Sequence, residues 1–351
     1  MTLKDNSKDL NQIKKVITAF SIDLLHWSYL VLVFLKVIYQ DIILDPRHAP
    51  PFHWNEVLYS LGIGTVIALA LFFSKLSVGR AIKGLYEIDE NKSLLKEPFT
   101  VLGYFTITVT FIAGLNISQV SLREFFSPAG LLGAKRIFTA LFNPNFDIIQ
   151  EAIFAAIETI YMAFIATVVA LPLAFLLGFF AARNLMSSSP LLKIIYNATR
   201  FILNITRSIE PLVWAIIFSV WVGIGPFAGM LALCLHSVSS LAKLYSEQIE
   251  NISEGPIEAM TATGAHPIQV IWFGVVPQIV LPYLSFTIYR WDINVRMATV
   301  IGLVGGGGIG TMLMQYQGLA KWNEVGLLAI TIAIIVWIMD YSSSKIREAI
   351  K

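Results

Sequence analysis

Between two apolar runs of membrane-crossing length lies the polar stretch Glu258-Ala259-Met260-Thr261-Ala262-Thr263-Gly264. Acidic residues precede and open this stretch, Pro256 suits a first helical turn, and Gly264 suits a helix end. The pattern therefore predicts a short helix, and Pro277 follows thirteen residues after the glycine. A self-contained helix in an aqueous loop of a membrane protein indicates a place where a partner protein docks.

The composition places the chain in lipid. Of its 351 residues, 56% are hydrophobic and 14% are charged, whereas about a quarter of the residues in a soluble domain are charged. The single cysteine, Cys234, lies in an apolar run and has no partner for an intramolecular disulfide. No His or Cys stands at metal-ligand spacing from His236, so no metal site is predicted. The net charge of +2 gives no indication of a nucleic-acid partner.

Apolar windows of about 19 residues, enough to cross a bilayer of roughly 30 Å, predict an all-α integral membrane protein with about eight spans. The spans cover residues 20–44, 57–74, 99–117, 153–180, 191–222, 227–244, 279–303 and 325–341. The span at 191–222 is irregular because it contains Arg200, Arg207 and Glu210. It is either a crossing or an interfacial helix followed by a shorter crossing.

The distribution of Lys and Arg predicts that both termini and the loop around Glu258 face the cytoplasm. If the N-terminus lies in the cytoplasm, sixteen basic residues fall in cytoplasmic segments and five fall in extracytoplasmic segments. The inner ones are Lys4, Lys8, Lys14, Lys15, Lys75, Arg80, Lys83, Lys92, Lys96, Arg183, Lys193, Arg200, Lys243, Lys345, Arg347 and Lys351. The outer ones are Arg47, Arg123, Lys135, Arg136 and Lys321. The loop around Glu258 is acidic for an inner loop, which favours contact with a protein.

The loop resembles the signature of ABC-importer permeases, in which Glu-Ala-Ala, a glycine and a downstream proline form the coupling helix that fits a groove on the ATPase subunit. The matching residues are Glu258, Ala259, Gly264 and Pro277, whereas Met260, Gly274 and Val276 depart from the usual alanine, isoleucine and leucine. The resemblance implies that ATP and Mg²⁺ bind a separate ATPase subunit and that this chain carries no cofactor. The chain also lacks the Gly-x-x-x-x-Gly-Lys-Ser/Thr phosphate loop of nucleotide hydrolases.

A glycine-rich segment follows the seventh span and comprises Gly305, Gly306, Gly307, Gly308 and Gly310. A dinucleotide-binding loop would require a preceding strand and an acidic residue in register, and the sequence offers neither. The segment instead predicts a tight extracytoplasmic turn that allows close helix approach. Importer permeases commonly carry such a run between their last two core helices.

The seventh span contains the polar sequence Tyr289-Arg290-Trp291-Asp292-Ile293-Asn294-Val295-Arg296. Charges at membrane depth cost at least about 2.5 kcal/mol each, so they normally face a bundle interior or a water-filled path. Asp292 and Arg296 have the spacing of a helical ion pair, and Arg290 and Asn294 have the same spacing. This helix is therefore predicted to line a path.

Two interpretations of these charges stay open. In the first, they pair internally and fix or gate the path, with Glu158 or Glu210 opposite Arg290. In the second, at least one arginine attracts an anionic substrate, because a guanidinium binds phosphate-like oxyanions in a fork. The candidates for a translocation path or gate are Arg290, Asp292, Asn294, Arg296, Glu158, Arg207 and Glu210.

From about residue 143 to the C-terminus, the chain resembles the phosphonate importer permeases. The matching segments are Glu158-Thr159, Met162-Ala163, Ala181-Ala182-Arg183-Asn184, Arg207-Ser208, Trp214-Ala215, Gly223-Ile224-Gly225-Pro226-Phe227-Ala228-Gly229, Leu244-Tyr245-Ser246-Glu247 and the run from Arg290 to Arg296. The resemblance implies a type I importer permease with a five-helix core in a bacterial inner membrane. It also implies a homodimer, or alternatively a heterodimer with a paralogue, that works with two ATPase subunits and an extracytoplasmic phosphonate-binding protein.

On this basis the chain divides into an accessory region with three spans (residues 1–120), an extracytoplasmic connection (121–150), a permease core (151–344) and a cytoplasmic tail (345–351). The coupling loop covers residues 245–277 within the core. In the accessory region, Asp23, His26 and Lys36 are either interfacial groups that reach water or members of a proton relay.

Three other functions remain alternatives. The chain would be a permease for another small solute, an intramembrane enzyme acting on lipid phosphates, or a channel or secondary transporter. An enzyme would need a convergent set of nucleophile, base or metal ligands, which the sequence does not show. A secondary transporter would be expected to carry internal repeats, and none is evident.

Overall fold

The computed structural model of the chain describes residues 2–43, 54–85 and 97–350, with side chains for residues 11–38, 54–85 and 97–350. Across these ranges the regular structure is helical and no strand occurs. Seven helices are long and apolar enough to cross a membrane, or eight if one bent pair counts as a single span. The prediction of an all-α membrane protein with about eight spans is confirmed.

Some predicted features lie outside the described residues. They are the end of the first predicted span at Leu44, the basic residues Arg47, Lys92, Lys96 and Lys351, and the side chains of Lys4 and Lys8.

The chain forms two compact units, Met1–Gly130 and Leu131–Lys351. The first contains α1 (Thr2–Val33) with a π-helical continuation (Phe34–Ile43), α2 (Trp54–Leu71), α3 (Val78–Ile82), α4 (Pro98–Ile117) and α5 (Leu122–Phe125), and α6 (Pro128–Leu141) begins at its end. The boundary falls inside the segment that the sequence assigns to an extracytoplasmic connection. The finer division of the chain stays a prediction.

Polar residues of the first unit tie its helices together. The buried Asp23 carboxylate accepts a hydrogen bond from a main-chain amide of α3 at 2.7 Å. Lys36 forms an ion pair with Glu56 of α2, with 3.7 Å between Nζ and Oε1. The His26 Nε2 atom lies 3.3 Å from the hydroxyl oxygen of Thr106 on α4. These contacts give each of the three proposed relay residues a partner inside the unit.

The second unit continues through a 3₁₀ turn (Phe146–Ile148) into a longer series of helices. They are α7 (Ile149–Phe180), α8 (Arg183–Met186), α9 (Pro190–Ser208), α10 (Pro211–Val222), α11 (Pro226–Glu250), α12 (Gly255–Ala262), α13 (Pro267–Val270), a π-helical turn (Ile271–Val275), α14 (Val276–Gly302), α15 (Gly308–Gly318) and α16 (Trp322–Ile350).

Helices α7, α11 and α14 form the centre of this unit, because α7 presents a face of small residues. The buried residues on that face include Ala152, Ala156, Ala163, Ala166, Ala170, Ala174 and Gly178. Small side chains let helix backbones approach closely in a membrane protein. A Cβ atom added at Gly178 would come within 2.9 Å of the Cβ of Tyr245 on α11. This close contact holds the C-terminal part of α11 against α7.

Candidate functional site

A buried polar cluster joins the three central helices. Asn294 of α14 is fully buried, and its Nδ2 donates hydrogen bonds to the hydroxyl oxygens of Thr167 on α7 and Ser237 on α11, each at 2.8 Å. The Nε of Arg290, one turn before Asn294, donates to the same Ser237 oxygen at 3.1 Å. Interhelical hydrogen bonds of this kind fix helix packing where water is scarce. The cluster therefore orients Arg290.

The Arg290 guanidinium retains unused hydrogen-bonding capacity. The residue is only 7% exposed, and its Nη2 has no hydrogen-bond partner among the residues that the structure describes. Among the described residues no carboxylate forms an ion pair with it, and neither Glu158 nor Glu210 does so. In the described part of the chain, the Nδ1 atom of His236 also has no hydrogen-bond partner. Since a buried charge is stable only when paired or hydrated, this arrangement favours an anion or water beside Arg290.

The other arginine of α14 has carboxylate partners. The Nη2 of Arg296 lies 2.6 Å from Oδ2 of Asp292 on the same helix, and it also pairs with Asp340 of α16. The Asp292 side chain is buried, whereas those of Arg296 and Asp340 are about half exposed. The two arginines thus differ: Arg296 joins α14 to α16, and Arg290 points a free nitrogen into the bundle.

Glu158 and Thr159 of α7 hold the start of α15. The Glu158 Oε1 accepts a hydrogen bond from the amide of Gly308 at 3.1 Å, and the Thr159 hydroxyl oxygen accepts one from the amide of Ile309 at 2.9 Å. Carboxylates and hydroxyls commonly satisfy the free amides at a helix start. In this structure Glu158 accepts the hydrogen bond from the Gly308 amide, and its role in the translocation path stays a prediction.

The glycine-rich segment is packed too tightly for side chains. Gly308 has a φ of +69°, and a Cβ there would lie 2.3 Å from the Thr159 hydroxyl oxygen. At Gly310 a Cβ would lie 1.9 Å from the carbonyl oxygen of Thr299. Steric limits of the same kind apply at Gly305, Gly306 and Gly307. The segment forms the predicted tight turn.

The loop that carries the permease-like signature forms two short helices. Glu258 and Ala259 lie on α12, which has no buried residue. Gly264 follows it with a φ of +75°, as expected of a glycine that ends a helix. Pro277 is the second residue of α14. The signature therefore forms an exposed helix at the base of the bundle.

The irregular span at 191–222 is broken. Helices α9 and α10 meet at an angle of 90°, and Arg207 and Glu210, both exposed, flank the break. The Nε1 of Trp214 donates to the Thr206 carbonyl oxygen across it at 3.3 Å. The structure thus favours two differently inclined helices over one straight crossing.

Sequence reasoning did not identify Thr167, Ser237 or Asp340 as part of this region. Thr167 and Ser237 are small polar residues in apolar spans, a signal that membrane helices use for contacts between helices. Asp340 is an acidic residue within the eighth span. Because charged residues inside a membrane usually pair with one another, the sequence could have suggested a pair between Asp340 and Arg296. In the described ranges no group of three His, Cys, Asp or Glu residues is arranged to hold a metal.

Comparisons with known proteins agree on the kind of protein to which this chain is similar. A family model described as "Binding-protein-dependent transport system inner membrane component" matches residues 174–350. The putative phosphite transport system permease protein HtxC of Stutzerimonas stutzeri is 34% identical over 63% of this chain and 77% of its own length. The phosphite transport system permease protein PtxC of the same organism is 37% identical over 59% of this chain and 74% of its own length.

Among solved structures, an inward-facing form of the MetNI methionine ABC transporter contains a chain with a TM-score of 0.49 and 24% sequence identity. The match covers 59% of this chain and 99% of that chain.

Proposed function

Because the chain belongs to the family of binding-protein-dependent transport system inner membrane components, we propose that it forms the translocation path of an importer for phosphite, phosphonate or a related phosphorus oxyanion. It is a transport subunit of an ABC importer and not an enzyme, and ATP is hydrolysed on a separate subunit. The predicted resemblance to the phosphonate permeases is confirmed by the relatives.

One observation carries the substrate class: the free Nη2 of buried Arg290. A guanidinium binds phosphate-like oxyanions through two parallel hydrogen bonds. Its Nε is already fixed by Ser237, so the guanidinium is oriented before an anion arrives and loses less conformational freedom on binding. An anion that reaches Arg290 would replace the missing countercharge. The paired Arg296 has less capacity to do this.

The remaining parts of the assembly follow from this proposal. Two copies of the chain form a homodimer, and each presents α12 with Glu258 and Gly264 to one of two ATPase subunits. An extracytoplasmic binding protein delivers the oxyanion, and both termini of the chain are cytoplasmic. Closure of the ATPases on ATP moves the paired coupling helices, and the path alternates between inward-open and outward-open states.

The test is uptake by the complete transporter, with its ATPase and binding protein, in proteoliposomes that contain ATP. Labelled phosphite and labelled methylphosphonate are the probes, and labelled methionine is the solute control. We expect ATP-dependent uptake of at least one phosphorus compound, and Arg290→Gln should reduce it more than it reduces basal ATP hydrolysis. Uptake that is confined to methionine, or that persists unchanged in Arg290→Gln, would contradict the proposal.

A further inference from the structure

Helix α9 has three distinct faces. One is turned toward the bundle and includes the buried Leu203. A second is apolar and exposed, and includes Ile194, Phe201 and Ile205. The third is polar, with exposed Lys193, Asn197, Asn204 and Arg207 and the half-buried Arg200 between them. These polar residues are spaced by three or four positions, so they share one side of the helix.

This polar face reaches from the cytoplasmic end of α11 to the middle of that helix. At one end the Nη2 of Arg200 lies 2.8 Å from Oε1 of Glu250, the last residue of α11. At the other end the Thr206 carbonyl oxygen accepts a hydrogen bond from Nε1 of Trp214 at 3.3 Å, and Trp214 packs against the hydrophobic cluster that includes Cys234 and Val238 of α11.

Exposed polar side chains at that depth need water. An isolated charge at the centre of the bilayer is strongly disfavoured and normally faces a water-filled cavity. Arg207 follows Thr206 directly, and thus lies near the level of Ser237 and Arg290. A helix lying flat on the membrane surface would keep Arg207 in the headgroup region, but the contacts of Trp214 with Thr206 and with the cluster around Val238 place it deeper.

The cytoplasmic end of the polar face opens into a pocket of about 390 Å³. Its lining includes Arg183, Lys193, Tyr196 and Asn197. From Lys193 to Arg207 the face carries no acidic residue, and Glu250 of α11 already pairs with Arg200. The net positive charge of the face therefore lies at its two ends, on Lys193 and Arg207, which suits an anion and disfavours a cation.

We infer that the polar face of α9 is the cytoplasmic half of the substrate path, leading a phosphorus oxyanion from Arg290 past Arg207 and Asn204 to the pocket at Lys193. The inference rests on the proposed function. Amide and cationic groups spaced along the face provide several weak sites in series. Conduction needs binding that is favourable enough for entry but weak enough for release.

The test is thiol accessibility in the complete transporter, in inside-out vesicles and on a Cys234→Ala background. Asn197→Cys and Asn204→Cys probe the polar face, and Ile194→Cys and Ile205→Cys are matched controls on the apolar face of the same helix. The reagent is a membrane-impermeant, negatively charged methanethiosulfonate. We expect labelling at the polar positions to be at least about tenfold faster, because lipid excludes a charged reagent. Added phosphite should slow labelling at Asn204→Cys.

Two results would overturn the inference. One is equal labelling of both faces, and the other is spontaneous disulfide formation between two copies at Asn204→Cys, which would show a protein contact in place of a water path. The uptake measurement on the parent transporter separates this inference from the proposed function. Failure to transport phosphorus compounds, with the labelling pattern intact, removes the substrate class but keeps the path. Normal uptake with equal labelling removes the path alone.

Discussion

Arg290 of α14 donates a hydrogen bond from Nε to the hydroxyl oxygen of Ser237 on α11 at 3.1 Å, and within the described ranges its Nη2 has no partner. One guanidinium in the buried core of a membrane transporter thus has a fixed nitrogen and a second nitrogen that can still donate a hydrogen bond. The hydrogen bond to Ser237 fixes the orientation of the guanidinium, and Nη2 stays available to bind an anion. The same serine accepts a hydrogen bond from Asn294, so the three side chains act together.

Loss of the serine anchor should weaken transport without removing the cation. Ser237→Ala deprives both Arg290 and Asn294 of an acceptor, which for buried groups costs about 1–3 kcal/mol. We expect lower thermal stability in detergent and a higher apparent KM for the transported anion. Ser239→Ala is the matched control, since that hydroxyl donates to the carbonyl oxygen of His236 on its own helix. Equal effects of the two substitutions on KM would show that Ser237 does not position Arg290.

The ion pair between Asp292 and Arg296 should be measurable as a coupling energy. Single substitutions to alanine each leave a charge with one partner fewer, and the double substitution removes both charges. We expect the stability loss of the double variant to be smaller than the sum by about 0.5–3 kcal/mol. Thermal unfolding of the four proteins in detergent measures this cycle. Additive losses would mean that the 2.6 Å contact contributes no net stability.

The second carboxylate of this network, Asp340, gives a further, weaker test. Asp340 on α16 is about half exposed, so its pairing with Arg296 is screened by solvent. Asp340→Asn should therefore lower stability by at most about 1 kcal/mol. A larger loss than that caused by Asp292→Asn would reverse the proposed ranking of the two partners.

Gly310 should not tolerate even a methyl group. A Cβ there would lie 1.9 Å from the Thr299 carbonyl oxygen, and overpacking of this kind typically costs about 1–3 kcal/mol. Gly318→Ala, at the end of the same helix, is the control because nothing lies within 4 Å of the added carbon. We expect Gly310→Ala to lower the Tm and Gly318→Ala to leave it within error. Similar Tm values for both variants would refute the proposed close approach of α14 and α15.

The exposed helix α12 should affect assembly and not folding. Glu258→Lys reverses a charge on a helix with no buried residue, and Gly264→Val forces a β-branched residue into a φ of +75°. Both should reduce co-purification of the ATPase subunit while the permease keeps its thermal stability to within about 1–2 kcal/mol. Glu348→Lys, an exposed charge reversal on α16, is the control. Full ATPase binding by both loop variants would contradict the coupling role.

Orientation is tested with single cysteines on the Cys234→Ala background. Ser253→Cys and Ser344→Cys should react with an impermeant reagent only from the cytoplasmic side, and Asn143→Cys only from outside, as the positive-inside rule predicts. The residues at all three positions are exposed. Labelling of Ser253→Cys from outside would invert the topology and remove α12 from reach of a cytoplasmic ATPase.

The sequence alone determined the membrane class, the spans, the exposed loop helix and the glycine turn, because each depends on local features. The length of an apolar run predicts a membrane span, and Pro256 and Gly264 mark the start and the end of the loop helix independently of its surroundings. The i,i+4 spacing likewise identified Asp292 and Arg296 as partners, since both lie on one helix. The family resemblance added the importer role and the phosphorus substrates.

Only the tertiary structure decided what faces each intramembrane charge. The sequence left Glu158 and Glu210 as equal candidates to neutralise Arg290, whereas folding brings Glu158 to the amide of Gly308, 150 residues away in the chain. Such contacts join residues that are far apart in sequence, and helical periodicity carries no information about which helices become neighbours. The free nitrogen of Arg290 is therefore a property of the packed bundle.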